Sequence, residues 1–218
     1  MPISVLVIGF GSIGKRHAEI LSTMDGISSV LVLSSQSGLP YDTLSSLEEI
    51  PRLNPDYVVI ASPTDQHDPQ LKFLEEHLQG KKILVEKPLF DSKAEFKVCN
   101  NEVYVGYNLR SHPLINKIRE LCQGRRLWNI HVFCGSYLPD WRPDQDYRQS
   151  VSAKKELGGG VLLELSHELD YICWFFGPIA CVSALIQNSG TLGLEVEESA
   201  DLILKTVIGL PVSVHLDF

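Results

Sequence analysis

Apolar runs and amphipathic stretches alternate regularly through the first half of the chain. Short apolar runs predict strands at residues 3–8, 30–33, 57–61, 83–85 and 103–106. Between them, apolar positions at helical spacing predict helices at residues 17–24, 41–50, 67–79 and 93–100. Strands that alternate with helices are typical of a parallel sheet covered on both faces. We therefore predict an α/β fold with a doubly wound parallel sheet at residues 1–110.

The rhythm of the pattern changes after residue 110. Helices are predicted at residues 114–122 and 161–176, strands at 127–137, 181–187, 199–207 and 210–216, and a long polar loop at 138–157. Gly209 lies between the last two strands, where it predicts a hairpin turn. We expect residues 111–218 to form a second, α+β domain with an open, largely antiparallel sheet.

Three glycines connect the first predicted strand to the helix that follows. Gly9 permits a tight turn out of the strand, Gly11 lets the backbone approach a pyrophosphate, and Gly14 lets the helix pack close to the sheet. The anion would contact the N–H groups at the helix N-terminus, at Ser12 and Ile13. The strand before and the helix after favour a dinucleotide site over the alternative, an ordinary structural turn.

The end of the second predicted strand indicates which cofactor is bound, because a carboxylate there accepts a hydrogen bond from the ribose 2′-OH of NAD. Ser34, Ser35 and Gln36 occupy this position. They provide neither a carboxylate for NAD nor an arginine for the 2′-phosphate of NADP. We expect NAD or NADP, with a slight preference for NADP. The alternative is that the serines are ordinary turn residues.

Two further polar segments follow predicted strands, at the edge where ligands bind in such sheets. In the first, Ser62 precedes His67, which is either a structural hydrogen-bonding residue or a cofactor contact. In the second, Glu86 and Lys87 precede Pro88, whose ring restricts the direction in which Lys87 points. Lys87 is either a lysine of the ligand crevice or a solvated loop residue.

A third polar segment begins with three glycines, residues 158–160, and continues into the last predicted helix. Glu164, His167, Glu168 and Tyr171 are spaced so that they form one polar stripe on that helix. The stripe is either a set of functional side chains or the water-facing side of the helix. The glycines indicate that something approaches the chain closely.

Composition and charge narrow the class of protein. The chain has 218 residues, a 44% hydrophobic composition and a formal net charge of -8, which argues against a binder of nucleic acid or of anionic membranes. The longest apolar run, residues 172–186, is broken by Gly177 and Pro178 and is too short to span a bilayer. Five cysteines without a C-x-x-C pair, and no signal-peptide pattern, predict a cytoplasmic protein. Apart from Glu164 and His167, no pair shows metal-ligand spacing, so no metal is expected.

Five motifs follow one another along nearly the whole chain. They are Gly9-x-Gly11-x-x-Gly14, Ala61-Ser-Pro…His67, Val85-Glu-Lys87-Pro88, Val105-Gly-Tyr-Asn108-Leu-Arg110 and Gly158-Gly-Gly…His167…Asp170. Together they resemble the glucose–fructose oxidoreductase / inositol dehydrogenase (Gfo/Idh/MocA) family. The resemblance implies an N-terminal Rossmann domain and a C-terminal domain whose open sheet faces the nicotinamide and often mediates oligomers. It also implies hydride transfer between NAD(P) and a sugar, cyclitol or sugar nucleotide.

By this resemblance, Lys87 corresponds to the family's catalytic lysine and His167 to its helix histidine. Oxidation of an alcohol needs a base near neutral pH, which suits His167, while Lys87 can polarise the oxygen; the two roles could be exchanged. Many members carry Asp or Asn four residues before the histidine, where this chain has Leu163, so Glu164 is the third catalytic candidate. The substrate-side candidates from the matched motifs are Asn108, Arg110 and Asp170.

The predicted polar loop supplies further substrate candidates. It contains Trp141, Arg142, Tyr147 and Arg148. Aromatic rings beside arginines suit a sugar face together with a carboxylate or phosphate, which favours an acidic or nucleotide-linked sugar. The alternative is a surface loop packed by its own aromatic residues.

Family members usually continue beyond the point where this chain stops, at Phe218. We therefore expect a short variant or a truncated product, whose sheet can expose an edge that depends on a partner. A homo-oligomer, dimer or tetramer, with a small sugar or sugar-nucleotide substrate is the prediction. The alternative function is a non-catalytic NAD(P)-binding or regulatory relative that truncation has inactivated.

Overall fold

The computed structural model describes residues 2–218. This part of the chain divides into two compact units, of which the first ends at Gly106 and the second begins at Tyr107. The division lies slightly before the boundary expected after Arg110. Each unit has a sheet of its own, and the two are described separately.

Within residues 2–106, the first unit contains a six-stranded parallel sheet. Its strands are β1 (Ile3–Ile8), β2 (Ile27–Leu33), β3 (Asp42–Leu44), β4 (Tyr57–Ile60), β5 (Lys82–Val85) and β6 (Glu102–Val105), and its helices are α1 (Ser12–Ser22), α2 (Ile50–Leu53) and α3 (His67–His77). The strand order is β3-β2-β1-β4-β5-β6. The order reverses direction between β1 and β4, where sheets of this kind bind ligands at their carboxyl edge. The predicted doubly wound sheet is confirmed.

β1 is buried on both faces because it lies in the middle of this sheet. Leu6 and Ile8 pack into the cluster on one face, and Val5 and Val7 pack into the cluster on the other. None of these four residues is more than 1% exposed. A continuous apolar run is the pattern of a parallel strand covered on both faces. The strand therefore delivers the glycine turn to the carboxyl edge of the sheet.

The helix predicted at residues 41–50 is wrong. The segment begins as the edge strand β3 and continues as a 3₁₀ turn at Leu47–Glu49. Glu49 accepts the backbone N–H groups of Ser45 at 3.0 Å and Ser46 at 3.1 Å. These capping bonds end the strand and start the turn. Of the residues predicted to be helical, only the last, Ile50, belongs to an α-helix, α2.

The helix predicted at residues 93–100 is also wrong, because the segment has no regular structure. Its backbone N–H groups at Cys99 and Asn100 donate to the buried carboxylate of Glu75, at 2.8 and 3.0 Å. Burial disfavours the Glu75 carboxylate, but these hydrogen bonds outweigh burial and lower its pKa. A side chain from α3 thus satisfies N–H groups that a helix would otherwise pair.

Over residues 107–218, the second unit contains a four-stranded mixed sheet. Its helices are α4 (Pro113–Cys122), α5 (Val161–Glu164) and α6 (His167–Phe176), and its strands are β7 (Ile130–Gly135), β8 (Ile179–Gln187), β9 (Ser199–Thr206) and β10 (Pro211–Asp217). The order is β7-β10-β9-β8, with β7 and β10 parallel and the other pairs antiparallel. Gly209 forms the predicted turn between β9 and β10, with a φ of +86°. The predicted open, largely antiparallel sheet is confirmed.

One face of this second sheet is covered and the other is open. Leu202 on β9 and Val214 on β10 pack with Val161 and Ile172, from α5 and α6, in one core cluster. The side chains between them in the strands point the opposite way, which leaves Ile203 59% exposed. The polar loop at 138–157 forms four short 3₁₀ turns beside this core.

Candidate active site

α1 begins at Ser12, directly after the glycine turn and earlier than the predicted start at residue 17. Gly9 has a φ of +90°, which glycine alone adopts readily. A Cβ on Gly9 would lie 2.7 Å from the carbonyl oxygen of Ala61, and one on Gly14 would collide with the carbonyl oxygen of Gly9. Both glycines are thus required by the tight turn and by the close packing of the helix.

Gly11 differs from these two glycines because open space lies in front of it. A Cβ on Gly11 would meet nothing within 4 Å, and no side chain of the described residues caps the helix that it precedes. Ser12 and Ile13 are exposed in the first turn, where helix N–H groups have no partner within the helix. The open approach and the positive end of the helix dipole fit the diphosphate of a dinucleotide.

The segment after β2 is tied to the glycine turn. Ser34 Oγ accepts the backbone N–H of Gln36 at 3.1 Å, and the side-chain amide of Gln36 donates to the carbonyl oxygen of Phe10 at 3.0 Å. Ser35 is exposed beside them. Sequence reasoning assigned no contact to Gln36; the available signal was an amide at the position where an acid is usual. A neutral amide, rather than a carboxylate, therefore borders the turn.

His67 ties together the segments that follow β4 and β5. Its ring is 1% exposed, and its Nε2 lies 3.0 Å from the carbonyl oxygen of Ser62 while Nδ1 lies 3.0 Å from that of Pro88. The Ser62 hydroxyl donates to the side chain of Gln70 at 2.7 Å. These contacts favour the structural role for His67, and cofactor contacts by His67 and Ser62 stay predictions.

Glu86 and Lys87 leave the carboxyl end of β5, two strands from β1. Glu86 Oε1 accepts Nε2–H of His17 at 2.6 Å, and its Oε2 accepts the backbone N–H of Lys87 at 3.2 Å. The Lys87–Pro88 peptide bond is cis, and Lys87 is half-buried. The first unit therefore places Lys87 on the edge of the sheet that carries the glycine turn. The contact between His17 and Glu86 was not predicted from the sequence.

In the second unit, α6 packs against a 3₁₀ turn at Asn108–Ser111. The ring of His167 meets that of Tyr107 edge-on, with 5.6 Å between centroids. Arg110 donates to both carboxylate oxygens of Asp170, at 2.8 and 2.5 Å. This hydrogen bonding raises the pKa of Arg110 against the opposing effect of burial. The structure thus brings His167, Asp170 and Arg110 together, and it leaves Asn108 exposed.

The single helix predicted at residues 161–176 is wrong, because Leu165 interrupts it with φ and ψ of -98° and 34°. α5 ends at Glu164, which accepts the Ser152 hydroxyl at 2.9 Å, and α6 begins at His167. The two residues therefore do not belong to one continuous helical stripe. Helical periodicity cannot reveal a break of two residues when the apolar positions on both sides fit a helix.

Glu168, in the first turn of α6, affects the pKa values of two neighbouring side chains. Burial, followed by the negative charge of Glu168, raises the pKa of Tyr171 to about 12. The same two causes raise the pKa of the Cys134 thiol to about 11. Both groups are therefore protonated at neutral pH.

The predicted substrate loop uses its aromatic side chains within the protein. The indole N–H of Trp141 donates to the hydroxyl of Ser136 at 2.8 Å, and its ring packs edge-on against Phe218. The hydroxyl of Tyr147 donates to the carbonyl oxygen of Leu192 at 3.0 Å. These contacts favour the alternative in which the aromatics pack the loop, and substrate binding by either ring stays a prediction.

The two arginines of this loop are placed differently from its aromatic rings. Arg142 is exposed, and the guanidinium of Arg148 lies 4.5 Å from the centre of the Tyr147 ring. Arg148 also lies 3.7 Å from the carboxylate of Asp146. Both arginines are thus at the surface of the second unit, where they can meet an anion.

Neither a metal-binding cluster nor a membrane-spanning helix occurs in the described residues. Within residues 2–218, no group of three or more His, Cys, Asp or Glu side chains could hold a metal ion. In the same part of the chain, no helix has the length and apolar character needed to cross a membrane.

The parallel sheet and the open glycine turn before an uncapped helix define a dinucleotide-binding protein. Two family models match this chain: "Oxidoreductase family, NAD-binding Rossmann fold" over residues 3–101 and "GFO/IDH/MocA C-terminal domain" over residues 115–218. The chain therefore belongs to the Gfo/Idh/MocA oxidoreductase family, as its motifs predicted.

One curated relative is an uncharacterised oxidoreductase of Synechocystis sp. It is 31% identical over 150 residues, which cover 64% of this chain and 40% of the relative. The WlbA dehydrogenase from Bordetella pertussis, in complex with NADH and UDP-GlcNAcA, has a TM-score of 0.82 at 20% identity, over 100% of this chain and 71% of its own. Myo-inositol 2-dehydrogenase from Lactobacillus plantarum has a TM-score of 0.80 at 18% identity, and the match covers 100% of this chain and 70% of that enzyme's chain. At these identities the two structures show the fold.

Proposed function

We propose that this protein is an NAD(P)-dependent dehydrogenase that moves a hydride between the nicotinamide and a hydroxyl or keto carbon of a sugar, cyclitol or sugar nucleotide. The observation that carries the proposal is the open space before Gly11 at the uncapped N-terminus of α1. The strand order of the first sheet supports it, because dinucleotide-binding folds share that order. In this proposal, residues 1–110 bind the cofactor and residues 111–218 bind the substrate.

The proposed chemistry divides between a base and a polarising group. The nicotinamide supplies the hydride acceptor or donor when NAD(P) is bound. His167 takes the proton from the substrate hydroxyl, Lys87 polarises the oxygen, and Glu164 is the third catalytic candidate. Lys87 as base and His167 as polariser is the reverse assignment.

An acidic or nucleotide-linked sugar is the substrate class that we favour. Arg142 and Arg148 lie at the surface of the second unit and suit a carboxylate or phosphate. Arg110 is less available for this task because Asp170 already accepts two of its hydrogen bonds. UDP-GlcNAcA in the WlbA structure supports this class. A neutral cyclitol is the second class, since inositol dehydrogenases share the fold.

We also propose that the protein forms a homo-oligomer, a dimer or tetramer, through the open face of its second sheet. Phe133 is 73% exposed and Ile203 is 59% exposed on that face. Neighbouring exposed apolar side chains commonly mark contact surfaces between proteins. Sedimentation velocity of the purified chain distinguishes these assemblies from a monomer.

Titration with NADH and with NADPH, followed by nicotinamide fluorescence, tests the cofactor site first. We expect saturable binding, with a slight preference for NADPH because Ser34 and Gln36 present no carboxylate that would repel a 2′-phosphate. UDP-GlcNAcA and myo-inositol are then offered as substrates with the preferred cofactor. Absence of binding by both cofactors contradicts the proposal.

Lys87→Ala separates an enzyme from a binding protein. We expect the variant to retain cofactor affinity and to lose turnover about 10²-fold or more. The matched control is Lys82→Ala, an exposed lysine at the opposite end of β5, which should change neither quantity. Cofactor binding by the unaltered chain without turnover of either substrate would favour the alternative, a non-catalytic or regulatory relative.

A further inference from the structure

His17 lies on the side of α1 that faces the first sheet. The buried residues of this helix are Gly14, Ala18 and Leu21, and His17 falls beside them because it follows Gly14 by one turn. The side chain of His17 is 23% exposed. A polar ring on an otherwise apolar helix face needs a hydrogen-bonding partner.

Glu86 is that partner; its carboxylate accepts two hydrogen bonds and packs against Gly106. Its Oε1 accepts Nε2–H of His17 at 2.6 Å; the donor is the histidine because a carboxylate only accepts. Its Oε2 accepts the backbone N–H of Lys87 at 3.2 Å. A Cβ on Gly106 would lie 3.0 Å from Oε2, so the glycine leaves the space that the carboxylate fills.

We propose that His17 is a positioning residue for Lys87: it holds Glu86, and Glu86 holds the backbone of the lysine. The inference rests on the proposed function, in which α1 binds the cofactor and Lys87 acts on the substrate oxygen. Two consecutive hydrogen bonds then connect the cofactor helix with the catalytic segment. Hydrogen bonds to a carboxylate that is shielded from water are stronger than those between neutral groups, so this connection is stiff.

A simpler role for His17 would be to fasten α1 to the sheet. In that case, removal of its contact to Glu86 would lower the stability of the protein and leave the surroundings of Lys87 unchanged. The deciding measurement must therefore report on Lys87 itself, with Lys82, at the start of the strand that leads to Lys87, as internal reference.

The rate at which acetic anhydride acetylates Lys87, followed by peptide mass spectrometry, is such a measurement. It uses the complete 218-residue chain without cofactor. His17→Asn withdraws the amide from Glu86, whereas His17→Gln places an amide nitrogen where Nε2 lies. We expect His17→Asn to raise the acetylation rate of Lys87 about fivefold, because that factor corresponds to the loss of one net hydrogen bond. In His17→Gln the rate should stay within about twofold of that in the original chain.

Two references make the result specific. His77→Asn removes an exposed histidine that hydrogen-bonds within its own helix, and it should leave the Lys87 rate unchanged. Lys82, at the start of β5, should be acetylated at one rate in every variant. Equal Lys87 rates in the original chain, His17→Asn and His17→Gln overturn the proposal. A rise shared by Lys82 also overturns it, because it reports general loosening.

The outcome is distinguishable from failure of the proposed function. If the unaltered chain binds neither NADH nor NADPH, the proposed function fails, while the Lys87 rates measured without cofactor still decide the role of His17. If NADH binds, saturation with it should change the Lys87 rate in the unaltered chain more than in His17→Asn. An equal change in both would count against the connection through Glu86.

Discussion

The molecule contains two glycine-rich segments that each lead into a helix, and they differ in what approaches them. In front of Gly11 there is open space, and only the flanking Gly9 and Gly14 face protein atoms. In the second unit, a Cβ on Gly159 would lie 2.5 to 2.8 Å from three backbone carbonyl oxygens, and one on Gly160 would collide with the carboxylate of Glu197. The first segment can receive a ligand, whereas the second is filled by the protein.

The difference shows what glycines in a sequence indicate. They mark places where a side chain would be in the way, but they do not identify the group that needs the space. At residues 158–160 the approaching group is the chain's own loop at 151–154, which accepts N–H donors from Gly159 at 2.9 Å and Gly160 at 3.1 Å. The expectation of a close approach was thus correct, and the approaching group is the chain itself.

Gly159→Ala should have the largest effect of the variants that test this comparison. The new methyl group would collide with the carbonyl oxygens of Val151, Ser152 and Lys154, which are backbone atoms and cannot rotate away. We expect a loss of about 3 kcal/mol in the free energy of unfolding, seen as a Tm about 10 °C lower. Thermal unfolding followed by circular dichroism measures it. An unchanged Tm would mean that this segment is not filled.

Gly11→Ala should show the opposite combination of effects. Its φ of -75° suits alanine and no atom lies within 4 Å, so the Tm should stay within about 2 °C. The methyl group would instead occupy the approach to the helix N-terminus, and the Kd for NADH should rise about tenfold or more. The fluorescence titration measures this. An unchanged Kd would place the cofactor diphosphate elsewhere.

The fold of the first unit could be predicted because its central strands are continuous apolar runs bounded by turn residues. Its wrong helices, at 41–50 and 93–100, have helical periodicity in the sequence. There, the carboxylates of Glu49 and Glu75 accept backbone N–H groups and stabilise other conformations. Such capping depends on a side chain in a particular place, and in the second case that side chain belongs to a different element.

The candidate site could be predicted in part. The glycine turn and the segment at Lys87 are local motifs, so their residue types and spacing are visible in the sequence. The bond between His17 and Glu86 joins residues 69 positions apart, and nothing in the local pattern of either residue indicates the other. The helical spacing shows only that His17, one turn after Gly14, lies on the face that packs against the sheet and needs some hydrogen-bonding partner.

Glu198→Gln should have the smallest effect, and it tests how much a carboxylate just before β9 stabilises the turn at residues 189–192, in the same unit as the filled segment. Glu198 is buried beside Glu197 and accepts the Ser189 hydroxyl and the backbone N–H of Leu192. Burial disfavours its charge, but these hydrogen bonds outweigh burial and lower the pKa of Glu198 below 4.5. The substitution would replace one accepting carboxylate oxygen by an N–H donor, which would face the Ser189 hydroxyl or the Leu192 N–H. We therefore expect a Tm about 2 °C lower near neutral pH.

The pH dependence of this loss follows from the direction of the shift. Because the folded-state pKa of Glu198 is the lower one, its ionised form stabilises the fold above about pH 4.5, and this contribution disappears as the pH falls through the folded-state value. The difference in Tm between the unaltered chain and Glu198→Gln should therefore shrink as the pH is lowered from neutral to below 4.5. Glu195→Gln, an exposed neighbour, is the matched control and should show no such change. A difference that stays constant over this range would show that ionised Glu198 does not stabilise the turn at residues 189–192.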